Sequence, residues 1–427
     1  MIIHLLRNQI KTGLTAISIV SFVQWSQAQN QLSSFHTTYS LIQEKDFFNA
    51  KKQFEAEKNS FPKPYQDFTD AILLNAFNKP DLSEKKIVGL ISSGSSLPDS
   101  LMLKVYRTRE DNAMKQYDYR SAKKMLETIR SRYGSLLSAE EKDDLENTMK
   151  IWTALEQQPH QKTQIKSTTS LKTEKDKAGL KNLKVTINGN SADFIFDTGA
   201  NLSVMTESAA RRFGMNIIPA GIKVDAITGA SVTAGLAVCK KMTMGNITVE
   251  NAVFLVFPDT ALAFPQISYQ INGILGFPVI ESFKEVQMTR DGYFIVPKEE
   301  TKINAPSNMA IDGLTPMIEM DGMHFSFDTG AERSMLYYPY YLKNKPSIDQ
   351  KKTVSISLGG AGGTKTYQGA EIRATFHILD QEVTLDQLNV LKENFNKHHV
   401  YGNIGQDVIS RFQKLILNFD KMFIKFE

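Results

Sequence analysis

The 427-residue chain has a single cysteine, Cys239, and it lacks several common catalytic and metal-binding motifs. One cysteine cannot form an intramolecular disulfide, and it excludes cysteine-based zinc fingers, iron–sulfur ligation and a CxxC redox pair. The seven histidines form no HExxH pair and the sequence has no GxSxG motif, so neither a zinc peptidase nor an α/β-hydrolase is indicated. We therefore expect no metal and no cofactor.

The sequence also lacks a strong charge of one sign. Fifty lysines and arginines against forty-six acidic residues give a formal net charge of +4, too small an excess to indicate nucleic acid as a partner. A hydrophobic content of 41% and a charged content of 22% argue against a disordered protein or a polytopic membrane protein. At roughly 100 to 200 residues per domain, the length predicts two or three domains.

The N-terminus lacks an apolar run long enough to cross a bilayer, and its pattern is typical of a signal peptide. Arg7 and Lys11 precede an apolar run from Leu14 to Val23, and Ser26-Gln27-Ala28 offers small residues where a signal peptidase reads. An uncleaved anchor would need roughly 20 apolar residues. We predict that residues 1–28 are a cleaved signal peptide and that no membrane insertion follows cleavage. Export without disulfides favours a bacterial periplasm or secretion.

Residues 29–160 are predicted to form helices, because apolar residues recur there at three- and four-residue spacing. Ser138 and Glu141 have the spacing of a helix capping box. Helices this short cannot bury an apolar stripe alone, so we expect helical hairpins. Three apolar residues fall on one face of a single predicted helix: Ala122, Leu126 and Ile129.

The role of the helical region stays open at this stage. Residues 111–133 loosely resemble a tetratricopeptide (TPR) unit, so hairpin packing, a peptide-docking groove and an inhibitory pro-segment are alternative interpretations. Residues 161–181 are rich in Lys, Thr, Ser and Gln and contain no aromatic residue. This composition predicts a solvated linker.

Beyond residue 182 the sequence repeats itself. The stretch 185–200 reads VTINGNSADFIFDTGA, and the stretch 318–331 reads IEMDGMHFSFDTGA. Each places an Asn-Gly or Asp-Gly turn between two predicted strands, the second of which leads into Phe-Asp-Thr-Gly-Ala. Asp328 follows Asp197 by 131 residues.

Two later landmarks repeat in the same order. Gly273-Ile274-Leu275-Gly276 is echoed by Gly402-Asn403-Ile404-Gly405, and a predicted hairpin follows each, at 283–296 and 412–426. Matched landmarks at similar intervals predict an internal duplication. The predicted lobes are residues 182–297 and 308–427, joined by a linker at 298–307.

The Phe-Asp-Thr-Gly-Ala motif, the Ile-Leu-Gly landmark and the closing hairpin together resemble the retropepsin-like aspartic proteases. Two copies in one chain resemble the two-lobed pepsin-type arrangement, over about residues 182–427. The resemblance implies an all-β, two-lobed acid-protease fold after an all-α helical-hairpin domain. It also implies an aspartic endopeptidase with catalytic Asp197 and Asp328, in which Thr198 and Thr329 hydrogen-bond across the lobe junction.

The expected chemistry explains why two copies are needed. Hydrolysis by carboxylates requires one group to take a proton from water and another to give a proton to the carbonyl oxygen. Two like charges about 4 Å apart repel by about 4 kcal/mol at an effective dielectric near 20, which corresponds to about three pKa units. Asp197 and Asp328 should therefore share one proton. Gly199 and Gly330 suit the contact because they have no Cβ.

Two positions after the motif affect the expected pH range. Pepsin-type enzymes commonly carry Ser or Thr where this chain has Ala200 and Ala331, and that hydroxyl can stabilise the ionised carboxylate. Alanine cannot donate this hydrogen bond. We therefore expect activity from mildly acid to near neutral pH.

Two hairpins are candidates for the flap that closes over a substrate in the resembling family. In lobe one the candidate residues are Ile227, Thr228 and Gly229, and in lobe two they are Gly359 and Gly360. Glycine-containing tips suit opening and closing. Ordinary surface hairpins are the alternative interpretation of both stretches.

Some features leave other functions open. Asn403 stands where the first copy has Ile274, which predicts looser packing beneath Asp328. A non-catalytic peptide-binding or scaffold protein with degenerate lobes is the rival function, and a latent enzyme blocked by residues 29–160 is a third. We expect a peptide or protein substrate, and a monomer whose lobes pair within the chain, because the connection between them is short. Pairing with a second chain is the alternative assembly.

Overall fold

The computed structural model describes residues 32–427, apart from short gaps at 95–96, 178, 226–230, 265–266, 304–305, 361–362 and 395–398. The predicted signal peptide lies outside the described residues. Within them, no helix combines the length and the apolar character needed to cross a membrane.

The N-terminal part of the described chain is helical. Helix α3 packs against α4, and α6 packs against both α5 and α7, which confirms the predicted helical region. The tetratricopeptide resemblance and the predicted domain limits stay predictions. The helices are α1 (32–43), α2 (Phe47–Glu57), α3 (Lys63–Ala76), α4 (Pro80–Ser92), α5 (Asp99–Lys115), α6 (Tyr119–Thr128) and α7 (Ala139–Leu155).

Local capping explains where α6 and α7 begin. The Asp118 side chain accepts a hydrogen bond from Ser121 N at 3.1 Å at the start of α6. At the start of α7, Ser138 Oγ accepts from Glu141 N at 3.2 Å, and the Glu141 carboxylate accepts from Ser138 N at 2.9 Å. The predicted capping box is confirmed. The predicted apolar face is buried as well, at Ala122, Leu126 and Ile129.

The rest of the chain is rich in β-strands, which confirms the predicted fold class. The strands up to the end of the first predicted lobe are β1 (Lys162–Ile165), β2 (Thr169–Lys172), β3 (Glu174–Lys175), β4 (Lys181–Ile187), β5 (Asn190–Phe196), β6 (Ser203–Thr206), β7 (Ile217–Asp225), β8 (Ser231–Cys239), β9 (Met242–Met244), β10 (Ile247–Glu250), β11 (Ala252–Phe257), β12 (Ala263–Phe264), β13 (Tyr269–Gln270), β14 (Gly273–Leu275), β15 (Glu285–Thr289) and β16 (Tyr293–Val296). Two short helices accompany them, α8 (Glu207–Arg212) and α9 (Phe277–Glu281).

The second predicted lobe has a similar plan. Its strands are β17 (Met309–Asp312), β18 (Thr315–Met320), β19 (Met323–Phe327), β20 (Met335–Leu336), β21 (Thr353–Gly360), β22 (Gly363–Ile378), β23 (Gln381–Leu391), β24 (Gly402–Ile404), β25 (Lys414–Asn418) and β26 (Phe423–Phe426). Its helices are α10 (Tyr338–Lys343), α11 (Lys345–Ile348) and α12 (Gln406–Ile409).

The same three-strand arrangement occurs in both lobes. In the eleven-stranded sheet of lobe one, β5 lies parallel to β14, and β14 pairs antiparallel with β6. In the eight-stranded sheet of lobe two, β19 lies parallel to β24, and β24 pairs antiparallel with β20. Each Asp-Thr-Gly loop therefore leaves the sheet beside the strand of its glycine landmark.

A third sheet joins the lobes. Its order is β2-β16-β15-β25-β26, so the two closing hairpins pair with each other through β15 and β25. Glu285 is fully buried in this sheet and accepts hydrogen bonds from Asn418 Nδ2 at 3.0 Å, Gln287 Nε2 at 2.7 Å and Thr301 N at 2.8 Å. The lobes thus share a continuous backbone ladder and a buried polar cluster.

The prediction of a solvated linker at 161–181 is wrong. In this segment β1 pairs with β10, β2 pairs with β16 and β3 pairs with β4. Edge strands are held by backbone hydrogen bonds and can keep polar side chains in solvent, so the composition of the segment resembles that of a linker. Residues 161–181 instead belong to the eleven-stranded sheet through β1 and β3, and to the five-stranded sheet through β2.

The helical region contacts both lobes. Asn78 Nδ2 donates to Glu281 Oε1 at 2.8 Å and to Phe419 O at 2.9 Å, which links one helical residue to each lobe. Lys45 forms an ion pair with Asp312 at 2.7 Å. These contacts place α1–α7 as a brace across the two lobes.

Candidate active site

Each predicted catalytic aspartate directly follows a buried strand and is held by the landmark strand beside it. Asp197 N donates to Leu275 O at 3.1 Å, and Asp328 N donates to Ile404 O at 2.9 Å. The phenylalanine before each aspartate packs on a closing hairpin. The ring centroids of Phe196 and Phe294 lie 4.8 Å apart, and those of Phe327 and Phe426 lie 6.4 Å apart.

The two threonines of the motifs hydrogen-bond across the lobe junction. Thr198 N donates to Thr329 Oγ1 at 3.0 Å, and Thr329 N donates to Thr198 Oγ1 at 3.0 Å. Each hydroxyl in turn donates to the opposite lobe: Thr198 Oγ1 to Phe327 O at 2.8 Å, and Thr329 Oγ1 to Phe196 O at 3.1 Å. Both threonines are buried. Four reciprocal hydrogen bonds therefore fix the relative position of the two loops.

This junction brings the two carboxyl groups together. Asp197 and Asp328 are in side-chain hydrogen-bond contact. A Cβ on Gly199 would lie 2.6 Å from Asp328 Cγ, and one on Gly330 would lie 2.3 Å from Asp197 Cγ. Any side chain at either glycine would displace a carboxyl group. Both aspartates remain partly exposed, so solvent reaches the pair.

The surroundings favour a protonated Asp197. Loss of hydration raises the pKa of Asp197 well above its ordinary value, and the charge of Asp328 and the hydrogen bond between the two carboxyl groups raise it further. The backbone N–H groups of Gly199 and Ala200 act in the opposite direction and are outweighed. A carboxyl pair in this setting can hold one proton between two oxygen acceptors, as acid–base catalysis requires.

The expectation of loose packing beneath Asp328 is wrong. Asn403 Nδ2 lies 3.4 Å from Asp328 Oδ2, as a hydrogen-bond donor, and Asn403 Oδ1 accepts from Ser326 Oγ at 2.7 Å. The amide thus fills the space with polar contacts. The comparison of Asn403 with Ile274 alone does not reveal Ser326, the residue that supports the amide.

Two serines outside the repeated five-residue motif also support the loops. Ser203 Oγ accepts from Gly276 N at 3.0 Å, and Ser334 Oγ accepts from Gly405 N at 2.9 Å. Both are buried. Each serine stands six residues after its aspartate, so a comparison of the two copies beyond the motif could have found them.

The candidate flap residues have different outcomes. Ile227, Thr228 and Gly229 lie outside the described residues, although β7 and β8 pair as far as Asp225 and Ser231 on either side of them. Gly359 and Gly360 end β21, where their backbones pair with Thr364 and Gly363. Gly359 and Gly360 thus lie at the end of a paired strand, and the role of both candidates in closure stays a prediction.

Other chemistries find little support among the described residues. No three His, Cys, Asp or Glu side chains of this part of the chain lie together as a metal-binding group. Burial raises the pKa of the Cys239 thiol to about 12, so this cysteine is a poor nucleophile.

The comparisons with known proteins agree with the geometry of the first lobe. Residues 183–279 match a family model described as "Aspartyl protease", a stretch that includes Asp197 and the first glycine landmark. No curated protein matches the chain. The matched stretch and the fold together show that this chain is similar to the aspartyl proteases and has a protease-like β-domain.

Proposed function

We propose that the protein is an exported aspartic endopeptidase that hydrolyses peptide bonds with a water activated between Asp197 and Asp328. The observation that carries the proposal is the hydrogen-bond contact between these two carboxyl groups, which lie 131 residues apart in the chain. The reciprocal threonine contacts support it, because they hold the pair without help from a substrate.

In the proposed reaction, one carboxylate takes a proton from the water while the other carboxylic acid protonates the peptide carbonyl oxygen. The water oxygen bonds to the carbonyl carbon, and the resulting diol then collapses with loss of the amine. Each proton removed from water by one aspartate is matched by a proton delivered from the pair, so no cofactor is required. The raised pKa of Asp197 supports a proton held on the pair.

Access to the pair supports a polymeric substrate. Asp197 and Asp328 are partly exposed, and Gly199 is exposed. Paired strands of both candidate flap hairpins belong to the same sheets as the catalytic loops. In the proposal the peptide lies across the lobe junction, where both carboxyl groups are partly exposed.

The test is incubation of the protein beginning at Gln29 with a mixed peptide library from pH 3 to pH 8. We expect internal cleavage, most active from mildly acid to near neutral pH, and we expect Asp197→Asn to reduce it by about 10²- to 10⁴-fold. Exposed Asp193→Asn is the matched control, since this residue lies on the same strand and carries only a surface ion pair with Lys184. Cleavage that survives Asp197→Asn would implicate another nucleophile. No cleavage at any pH would favour the peptide-binding protein.

Export is a separate part of the proposal and rests on the residue pattern of 1–28. Expression of the full chain in a bacterium, followed by cell fractionation and N-terminal sequencing, tests it. We expect a periplasmic or secreted product that begins near Gln29. Full-length protein retained in the cytoplasm would refute the export proposal without affecting the proposed chemistry.

A further inference from the structure

The two lobes differ at one pair of facing residues next to the carboxyl groups. In lobe one, Ile195 and Ile274 are partners across the parallel strands β5 and β14. At the matching register in lobe two, Ser326 and Asn403 are partners across β19 and β24. Ile195 and Ser326 each stand two residues before the aspartate of their lobe. An apolar pair beside Asp197 thus corresponds to a hydrogen-bonding pair beside Asp328.

The orientation of the Asn403 amide follows from its neighbours. The amide nitrogen, which carries the donors of the Asn403 side chain, faces Asp328 Oδ2 at 3.4 Å and donates to it. This leaves Asn403 Oδ1 for the Ser326 hydroxyl at 2.7 Å. The Ser326 hydroxyl also lies 3.2 Å from Gly402 O, but Asn403 Oδ1 is the nearer acceptor, so Ser326 holds the amide with its nitrogen toward Asp328.

The aspartates consequently receive different hydrogen bonds. Asp328 accepts from Gly330 N at 2.8 Å, from Ala331 N at 3.0 Å and from the Asn403 amide. The corresponding side chain in lobe one is an isoleucine, which has no donor, so apart from the contact with Asp328 the hydrogen bonds to Asp197 come from its own loop. Donors to a carboxylate stabilise its ionised form.

Among the residues that the structure describes, two titratable groups have pKa values that the charge of Asp328 raises. One is Asp197. The other is the Tyr337 phenol, whose pKa is raised by burial and, to a smaller extent, by the charge of Asp328. A phenol with a raised pKa stays neutral over the working range, so it does not change the charge balance between the two carboxyl groups.

We propose that Asn403 is a positioning residue that makes the carboxyl pair asymmetric, with Asp328 held as the ionised partner and the proton held by Asp197. This assignment rests on the proposed function and gives each aspartate one role in it. As the water oxygen bonds to the carbonyl carbon, Asp328 takes the proton of water, and Asp197 gives its own proton to the carbonyl oxygen. The step forms a neutral diol and moves the single proton of the pair from Asp197 to Asp328.

The kinetic test gives lobe two the residue type that lobe one has at the matching position. Asn403→Ile removes the donor, and we expect the acid limb of the kcat/KM pH profile to move up by about 0.5 to 1 pH unit, because the ionised carboxylate loses one hydrogen bond. Ser326→Ala, which frees the amide to rotate, should move the limb in the same direction by less. Ile274→Val, at the matching position of lobe one, should leave it unmoved. An unmoved limb in folded Asn403→Ile, or an equal shift in Ile274→Val, would overturn the proposal.

A second measurement needs neither a variant at Asn403 nor catalysis. Carboxyl ¹³C NMR of aspartate-labelled protein reports protonation directly, and the signals of the pair are identified by their loss in Asp197→Asn and Asp328→Asn. At a pH where the pair holds one proton, we expect the Asp328 signal at a carboxylate shift and the Asp197 signal at a carboxylic acid shift. The reverse assignment, or one averaged shift for both, would overturn the asymmetry. Asymmetric signals in a protein that cleaves no peptide would refute the proposed function and leave the asymmetry standing.

Discussion

At the residue scale, the properties of Asp197 follow from its neighbours rather than from its own chemistry. Loss of hydration and the facing Asp328 raise its pKa, and glycines at 199 and 330 are what allow the two carboxyl groups to approach. A site arranged in this way opposes ionisation of Asp197 in the folded protein. The folded protein should therefore lose stability as the pH rises and Asp197 ionises.

We expect Asp197→Asn to be more stable than the wild type at pH 7 and equally stable near pH 3.5. A carboxyl whose pKa is raised by folding favours the folded state fully below its unfolded pKa of about 3.9, and this contribution is lost as pH rises toward the folded pKa. Asparagine does not ionise, so the Asp197→Asn protein does not lose stability in this way as the pH rises. Urea unfolding at several pH values measures the difference, and Asp193→Asn should show none. A stability gap that is constant between pH 3.5 and pH 7 would contradict the raised pKa.

The identity of the paired residues could be predicted from sequence, but their unequal surroundings could not. Asp197 and Asp328 stand out because a five-residue motif repeats around each. The contact from Asn403 depends on the lateral register of β24 against β19 and on an amide orientation fixed by Ser326. A substitution of isoleucine by asparagine indicates polarity in a sequence and does not indicate what the amide will meet.

At the element scale, the joint between the closing hairpins is the contact on which the pairing of the lobes depends. Strands β15 and β25 pair over five residues, and Glu285 lies buried among their polar neighbours. Burial raises the pKa of Glu285, but hydrogen bonds from Thr301, Gln287 and Asn418 outweigh this effect and leave the pKa below its ordinary value. The glutamate therefore acts as a shared acceptor for both hairpins.

We expect Glu285→Ala to lower the free energy of unfolding by about 2 to 4 kcal/mol, because it removes a buried acceptor shared by Asn418, Gln287 and Thr301. The exposed Glu299→Ala is the control and should change stability by less than about 0.5 kcal/mol. Since the pKa of Glu285 is lowered in the fold, its contribution is present above about pH 4.5 and is lost as pH falls. Urea unfolding of both variants at pH 7 and pH 3.5 measures this. A loss no larger than that of Glu299→Ala would contradict the role given to the joint.

Helix α7 is attached to the strand that leads into the first candidate flap. Asn147 donates from Nδ2 to Lys223 O at 2.7 Å and accepts at Oδ1 from Lys223 N at 2.9 Å, so one amide side chain completes the edge of β7. Lys150 Nζ donates to Gly221 O at 3.0 Å in the same edge. This contact couples the helical region to the base of the hairpin.

Asn147→Ala should loosen that edge. We expect the backbone amides of 217–225 to exchange about 3- to 10-fold faster with solvent, which corresponds to a loss of about 0.5 to 1.5 kcal/mol for two hydrogen bonds at an exposed site. Hydrogen exchange followed by mass spectrometry measures it, and Lys142→Ala on the exposed part of α7 serves as the control. Unchanged exchange at 217–225 would mean that Asn147 does not hold the hairpin.

The strands between 161 and 181 show why some elements escape sequence analysis. Helix α7 was predictable, because its capping box and apolar spacing are local signals. Strands β1 and β2 lie at sheet edges and present mostly polar side chains, so their pairing with β10 and β16 depends on residues 82 to 127 positions away. Local composition carries no information about a partner at that distance.

At the scale of the whole molecule, the helical region acts as a brace rather than a separate body. It makes polar contacts with both lobes, through Asn78 to Glu281 and Phe419 and through Lys45 to Asp312. Tyr117 also donates to Pro278 O at 3.0 Å, next to the glycine landmark of lobe one. Helices that tie the lobes together should support the relative position of the carboxyl pair.

We expect removal of residues 29–160 to lower both stability and peptide cleavage, since it exposes the lobe surfaces that the helices cover. A protein beginning at Lys181 should be less stable than one beginning at Gln161, because it also lacks β1, β2 and β3. Thermal unfolding and cleavage rates of the two shortened proteins and the protein beginning at Gln29 measure these differences. A rise in cleavage on removal of the helices would contradict the brace and support a latent enzyme.

The most direct test of the central claim, that the two aspartates act as one catalytic unit, is the cleavage rate of Asp197→Asn, Asp328→Asn and the double variant. If one water is activated between both carboxyl groups, each single change should remove nearly all activity and the double change should remove no more, because groups that act as a unit show non-additive losses. The account predicts the same residual rate for all three proteins. Near wild-type cleavage by either single variant, or losses that multiply in the double variant, would contradict it.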